Sequence, residues 1–107
     1  DSIRLIGQFL SSNSLHSLTK LGVANNNIKN YGAQILSKAL VNNQTIKSLN
    51  LSYNWIDYRG IAMIAESLLE NKTLTHLNLS KNYFGDEGTH IYNIHTFIYT
   101  FIYLLLL

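Results

Sequence analysis

The sequence predicts an α/β solenoid in which parallel strands form one layer and helices form the other. Three observations lead to this fold class. The chain of 107 residues repeats itself with a spacing of 28 residues, and periods of about 20 to 29 residues are typical of solenoids. Each copy begins with alternating apolar and polar residues and continues with apolar residues at helical spacing. Since one such unit cannot bury its apolar face alone, we expect neighbouring copies to stack.

Three copies align in register along the chain. They span residues 18–45, 46–73 and 74–90, and the third copy is partial. Four columns keep one residue type or nearly so: Leu21/Leu49/Leu77, Asn26/Asn54/Asn82, Ile28/Ile56/Phe84 and Gly32/Gly60/Gly88. Identity in so many columns at one spacing is hard to obtain by chance, so the copies are interpreted as structural repeats.

Each copy has a strand half and a helix half. The stretch "SLNLS" at 48–52 alternates apolar and polar residues, which is the pattern of a strand with one buried face. The stretch "RGIAMIAESLLEN" at 59–71 carries apolar residues at helical spacing. These residues are Ile61, Ile64, Ala65, Leu68 and Leu69, with Glu66 and Glu70 on the other side.

The repeat pattern resembles the leucine-rich repeat in its 28-residue, ribonuclease-inhibitor-like subclass. It reads Ile46-x-x-Leu49-x-Leu51-x-x-Asn54-x-Ile56 with Gly60, and it recurs from Leu74 to Gly88. Similar repeats occur in ribonuclease inhibitor, NOD-like receptors, tropomodulin-type actin regulators and the GTPase-activating protein for Ran. The resemblance implies an open horseshoe fragment with strands on the concave side and helices on the convex side.

The invariant columns are expected to be structural. The Leu and Ile columns form the core, where removal of one side chain costs about 2–5 kcal/mol. Asn26, Asn54 and Asn82 are predicted to form a ladder of stacked amides that satisfies backbone groups at the turn after each strand. The Gly column lies where a side chain would crowd the neighbouring coil.

The polar positions that alternate with the strand leucines, together with the turn that follows, are the predicted partner-binding set. In a leucine-rich horseshoe they would line the concave face. The set is Lys20, Ser48, Asn50, Ser52, Tyr53, Trp55, His76, Asn78, Ser80, Lys81 and Tyr83. Tyr53, Trp55 and Tyr83 are the best contact candidates because aromatic side chains dominate interface energetics. For Trp55 the alternative is packing on the loop of the adjacent coil.

Composition and spacing argue against several classes of function. The formal charge is +2, and the Lys and Arg residues are scattered singly, which does not favour nucleic-acid binding. Cys is absent, so neither disulfides nor thiolate metal sites are possible. No acidic residue lies near His76 in its repeat, and His90 and His95 lack the spacing that would pair two ligands on a helix. We therefore expect no enzyme activity, no cofactor, no metal and no small-molecule substrate.

Four tripeptides match the acceptor pattern for N-linked glycosylation, beginning at Asn43, Asn50, Asn71 and Asn78. They recur in pairs at the repeat spacing, so the repeat itself generates them. We interpret them as coincidental in a cytoplasmic protein.

Neither end of the sequence continues the pattern. Residues 1–17 resemble the helix and loop of a preceding repeat, with Leu5, Ile6, Phe9 and Leu10 at helical spacing. Residues 91–107 form an apolar tail with no formal charge. The tail has three interpretations: a membrane anchor near the lower length limit for a span, a helix covering the open end of the solenoid, or a read-through segment. With these ends, the chain is expected to be a fragment of a longer repeat protein.

The predicted function is non-enzymatic binding of another protein through the strand face. Two alternatives remain. The resemblance to the Ran activator suggests a GTPase-activating regulator, for which Arg59 is the only Arg in the repeats. The tail suggests a membrane-attached recognition fragment, the only route by which a membrane would be a partner.

Overall fold

A computed structural model describes residues 2–12, 18–82 and 90–91 of the chain. Within these ranges the helices are α1 (Ser2–Ser12), α2 (Lys29–Asn42) and α3 (Tyr58–Ser67). The strands are β1 (Lys20–Gly22), β2 (Ser48–Asn50), β3 (His76–Asn78) and β4 (His90–Ile91). One sheet contains the strands in the order β1-β2-β3-β4. Strand and helix alternate from β1 to β3, as the repeat predicts.

The first three strands are parallel and keep the repeat spacing. Lys20 pairs with Ser48, and Ser48 pairs with His76. The same register places Leu21, Leu49 and Leu77 side by side. The invariant leucines therefore form one row beneath the sheet, where they face the helices.

The core lies between the sheet and the helices and consists almost entirely of the predicted apolar columns. Leu49, Leu51, Ile56, Ile61 and Ile64 are all essentially inaccessible to solvent. Burial of each such side chain stabilises the fold by about 1.5–3 kcal/mol. Because each coil contributes the same positions, the core is continuous from α1 to β3.

The helices differ from the predicted apolar faces at two places. Leu69 is exposed because the α-helix ends at Ser67: the N–H groups of Leu69 and Glu70 donate to carbonyls three residues back, which tightens the chain into a turn. In α1, Leu10 is buried, and Ile3 and Ile6 are partly buried against the core. The predicted face residues Leu5 and Phe9 are instead exposed.

The last strand departs from the parallel pattern. In β4, Ile91 pairs with Leu77 and His90 pairs with Asn78, antiparallel to β3. The helical-cap interpretation of the tail placed Ile91 in a helix, and the structure places it in this strand. The rest of the tail lies outside the described residues.

Candidate protein-binding surface

The outer face of the sheet presents two rows of residues on the side opposite to the leucine row, because successive residues of a strand face opposite sides. The first row is Lys20, Ser48 and His76, and the second is Gly22, Asn50 and Asn78. Lys20 and His76 are exposed, whereas Ser48, Asn50 and Asn78 are half-buried. The predicted strand positions are thus brought together on one surface.

The turn after each strand adopts an unusual backbone conformation. Tyr53 has a φ of 57° and Trp55 a φ of 61°, both in the left-handed region. In the first coil the equivalent residues are Asn25 and Asn27, with φ of 59° and 54°. Asn tolerates this region well, whereas bulky side chains rarely occupy it. The second coil therefore holds two aromatic residues in a conformation that disfavours them.

Both aromatic side chains remain accessible, with Tyr53 and Trp55 each 54% exposed. Lys81 occupies the Tyr53 position in the third coil, also at left-handed φ (60°) and exposed. The Tyr53 N–H donates to Ser80 O at 3.1 Å, which joins these two turns. Tyr83, the third predicted aromatic contact, lies outside the described residues.

The two serines of the turn lie deeper than predicted. Ser52 is only 6% exposed, and its hydroxyl donates to Asn50 Oδ1 at 2.8 Å. Ser80 repeats the bond to Asn78 Oδ1 at 2.7 Å. Since the Ser52 side chain is buried and hydrogen-bonded within the turn, it does not contribute to the accessible surface.

The Asn column bridges successive coils. Asn54 is fully buried, and its Oδ1 accepts the N–H groups of Asn26 at 2.8 Å and Ile28 at 3.3 Å. Its Nδ2 donates across the coil boundary to Val23 O at 2.9 Å, and it also donates to two carbonyls of its own turn. Asn82 repeats this arrangement one coil later, accepting from Asn54 N and Ile56 N. These amides fix the turns that carry the exposed aromatic residues.

Asn26 occupies the first position of the same column but has a different environment. Its side chain is exposed, and its Nδ2 donates to Ala24 O of its own turn at 2.9 Å. It therefore provides an internal comparison for the two inter-coil amides.

A second set of bridging amides connects the helix ends to the following strands. Asn71 Nδ2 donates to Leu40 O and to Asn43 O at 2.9 Å, while its Oδ1 accepts Leu74 N at 2.9 Å. Asn43 likewise donates to Leu10 O at 3.2 Å. Sequence reasoning missed this role, although the two residues recur at the repeat spacing. As both side chains are buried, their amide nitrogens are not accessible for glycosylation in the folded protein.

The start of α3 is organised by charge. The Asp57 carboxylate caps the helix by accepting Arg59 N at 2.9 Å, and its other oxygen lies 2.9 Å from Arg59 Nη2. Asn30 of the neighbouring coil donates to the same carboxylate at 2.8 Å. The hydrogen bond from the Arg59 side chain, followed by that from Asn30, holds the pKa of Asp57 well below its usual range. Arg59 is thus engaged with its own helix cap, which does not favour its use in a neighbouring nucleotide site.

Within the described residues, His, Cys, Asp and Glu form no group of three or more that could hold a metal ion. None of the helices in that part of the chain is long and apolar enough to cross a membrane.

Comparisons with known proteins agree with the repeated strand–helix architecture. A family model described as a leucine-rich repeat matches residues 42–65 and 70–88, which overlap the second and third copies. No curated protein sequence gives a significant match.

Several solved structures are similar in fold, among them a leiomodin and a tropomodulin structure. One is titled leiomodin-1 actin-binding site 2 and has a TM-score of 0.67 at 24% sequence identity. The similarity covers 98% of this chain and 70% of the leiomodin chain. The other is the tropomodulin C-terminal domain from Caenorhabditis elegans, with a TM-score of 0.62 at 18% identity. It covers 78% of this chain, which spans 50% of the tropomodulin chain. The repeat register, the sheet and these matches together give the chain an α/β leucine-rich repeat fold.

Proposed function

We propose that this chain is a non-enzymatic protein-binding module, and that its partner contacts the outer face of the sheet and the turn that follows it. The observation that carries the proposal is the pair Tyr53 and Trp55. Left-handed backbone at bulky residues costs about 1–2 kcal/mol each, and strained residues of this kind cluster at functional sites. The pair is exposed, as contact residues must be, and replaces the asparagines of the first coil.

The subclass and the setting belong to the same proposal. The 28-residue register between β1, β2 and β3 supports the ribonuclease-inhibitor-like subclass. The buried amides of Asn43 and Asn71 are consistent with a cytoplasmic protein that is not glycosylated at those positions.

Actin is the first partner to test, because the leiomodin structure similar to 98% of this chain is titled an actin-binding site. The chain, labelled with a fluorophore at its amino terminus, is titrated with monomeric actin, and its anisotropy is followed. The variant Tyr53→Asn/Trp55→Asn carries the residues of the first coil at both positions. We expect it to lose binding at least 10-fold, since removal of aromatic anchors costs about 2 kcal/mol or more each.

The matched control changes two half-exposed apolar residues of the helical layer. Val41 and Leu69 are 44% and 43% exposed, and Val41→Asn/Leu69→Asn should leave affinity unchanged. If the helical-layer variant loses binding while the turn variant keeps it, the proposed face is wrong. If the wild type does not bind actin, actin is rejected as the partner.

A further inference from the structure

The acidic side chains of the described residues all lie on the helical side of the fold, whereas basic side chains occur on both sides. The acidic side chains are Asp57, Glu66 and Glu70, and all three belong to α3 or its ends. Asp57 is further neutralised by Arg59. The outer face of the sheet and its turns carry Lys20, Lys81 and His76, all exposed. In its described residues, this face therefore has basic groups and no acidic ones.

The register fixes where these groups lie relative to the aromatic pair. Lys20 and His76 stand at the two ends of one row, with Ser48 between them. Adjacent strands are roughly 4.8 Å apart, so the two residues are separated by about 10 Å across the sheet. Lys81 lies beside Tyr53 in the neighbouring turn, where Tyr53 N and Ser80 O are bonded. Lys81 thus lies next to the turn of Tyr53, whereas Lys20 and His76 lie on the strands that lead into the turns.

Asn50 and Asn78 lie on the same face as these basic residues, and their side-chain oxygens already accept two hydrogen bonds each. Asn50 Oδ1 accepts both the N–H and the hydroxyl of Ser52, and Asn78 Oδ1 does the same for Ser80. Because both oxygens are already engaged, these amides can offer a ligand only their Nδ2 donors. His76 has a ring nitrogen 2.9 Å from Thr75 Oγ1. A ligand that accepts hydrogen bonds and carries negative charge complements this surface.

From these observations we propose that the partner presents an acidic segment, with carboxylates on either side of an apolar or aromatic residue. The apolar residue packs against Tyr53 and Trp55, and the carboxylates face Lys20, His76 and Lys81. This inference rests on the proposed function, because it names the chemistry of the partner for the same face. Electrostatic complementarity of this kind selects partners and accelerates their encounter.

The test uses three fluorescent probes of matched length and magnitude of charge. The first is a peptide with a central Leu-Phe pair flanked by glutamates, the second replaces the glutamates with lysines, and the third is a single-stranded oligonucleotide. Affinity is measured by anisotropy at low and moderate salt. We expect the acidic peptide to bind at least 10-fold more tightly than the basic one, and to weaken as salt rises, because exposed charges are screened.

Two charge-matched variants locate the effect. Lys20→Gln/Lys81→Gln should weaken binding of the acidic peptide by about 2- to 30-fold, as expected for two exposed ion pairs. Lys38→Gln/Lys72→Gln removes the same charge from α2 and from the loop between α3 and β3, where both lysines are exposed. It should have no effect beyond a small loss common to all anions.

The outcomes separate this inference from the proposed function. Equal or tighter binding of the basic peptide, or equal effects of the two lysine variants, overturns the acidic-segment inference. Tighter binding of the oligonucleotide overturns it in favour of a nucleic-acid partner. In each case the binding face itself still stands if Tyr53→Asn/Trp55→Asn abolishes the binding observed. Binding of no probe rejects the acidic segment and leaves the face to be decided by the actin titration.

Discussion

At the residue scale, one side chain type performs two different tasks in the same column. Asn54 and Asn82 satisfy backbone groups of the preceding coil, whereas among the described residues the Asn26 side chain donates to Ala24 O of its own turn. The difference follows from the contacts: the Asn54 and Asn82 amides bridge to the turn of the coil before them. The same residue should therefore differ in its contribution to stability from one coil to the next.

We predict that Asn54→Ala lowers the free energy of unfolding by about 3–5 kcal/mol. It leaves Asn26 N–H, Ile28 N–H and Val23 O without their side-chain partner inside the protein, and each buried unsatisfied group costs about 1–3 kcal/mol. Asn26→Ala, at the exposed position, should cost less than about 1 kcal/mol. Urea unfolding followed by circular dichroism measures both. Similar losses for the two variants would contradict the inter-coil role of the ladder.

The ionisation of one residue, Asp57, makes the free energy of unfolding depend on pH. Its pKa is depressed in the folded protein from the ordinary 3.8, so the folded state favours the ionised form. The resulting stabilisation is present above that value and is lost as pH falls towards the folded pKa. Asp57→Asn keeps the cap oxygen but cannot titrate.

We expect the difference in unfolding free energy between wild type and Asp57→Asn to be constant above about pH 5 and to shrink between about pH 4 and 2. Urea titrations at each pH measure this difference. A difference that does not change across the acid range would show that the carboxylate charge is not used by the folded state.

At the element scale, the packing of α3 against α2 depends on a glycine. A Cβ at Gly60 would lie 2.5 Å from both Asn30 Oδ1 and Ile56 Cγ2, and 3.2 Å from Ala33 Cβ. These atoms belong to the neighbouring coil and to the turn before the helix, so the two helices can approach closely only without that side chain.

Gly60→Ala should therefore destabilise the protein by about 1–3 kcal/mol through overpacking. Without this overpacking, replacing glycine by alanine in a helix interior would stabilise the protein by about 1 kcal/mol. Gly22→Ala is the control, since a Cβ there meets nothing within 4 Å; we expect it to be neutral or slightly stabilising. Thermal unfolding of the two variants compares them, and a stabilised Gly60→Ala protein would contradict the close approach.

At the scale of the whole molecule, the repeat spacing determined most of what could be predicted. Three parallel strands, the helices between them and the leucine row all follow from the spacing of apolar residues. The left-handed turns were not foreseen at Tyr53 and Trp55, because neither residue type favours that conformation; Asn25 and Asn27 of the first coil were the available signal. The antiparallel β4 lies where the repeat has already stopped, so no periodicity could indicate it.

The sequence pattern likewise predicted only part of the candidate binding surface. Alternation placed Lys20, Ser48 and His76 on one face correctly, since it depends only on strand geometry. It could not separate the buried Ser52 from the exposed Tyr53, because their accessibility is set by hydrogen bonds within the turn. The position of the described acidic residues, all on the helical side, emerged only when the helices and the sheet were assigned to opposite sides.

The central claim is that Tyr53 and Trp55 are held in a strained turn for contact with a partner and contribute little to the fold itself. The unfolding free energy of Tyr53→Asn/Trp55→Asn tests it most directly. Trp55 is the only tryptophan, so the variant has no tryptophan fluorescence with which to follow unfolding. Unfolding of both proteins is therefore followed by circular dichroism. We predict a stability equal to wild type within about 1 kcal/mol, or higher, since asparagine accepts the left-handed backbone. A loss of about 3 kcal/mol or more, as for a truncated core aromatic, would contradict the claim and make the pair a part of the core.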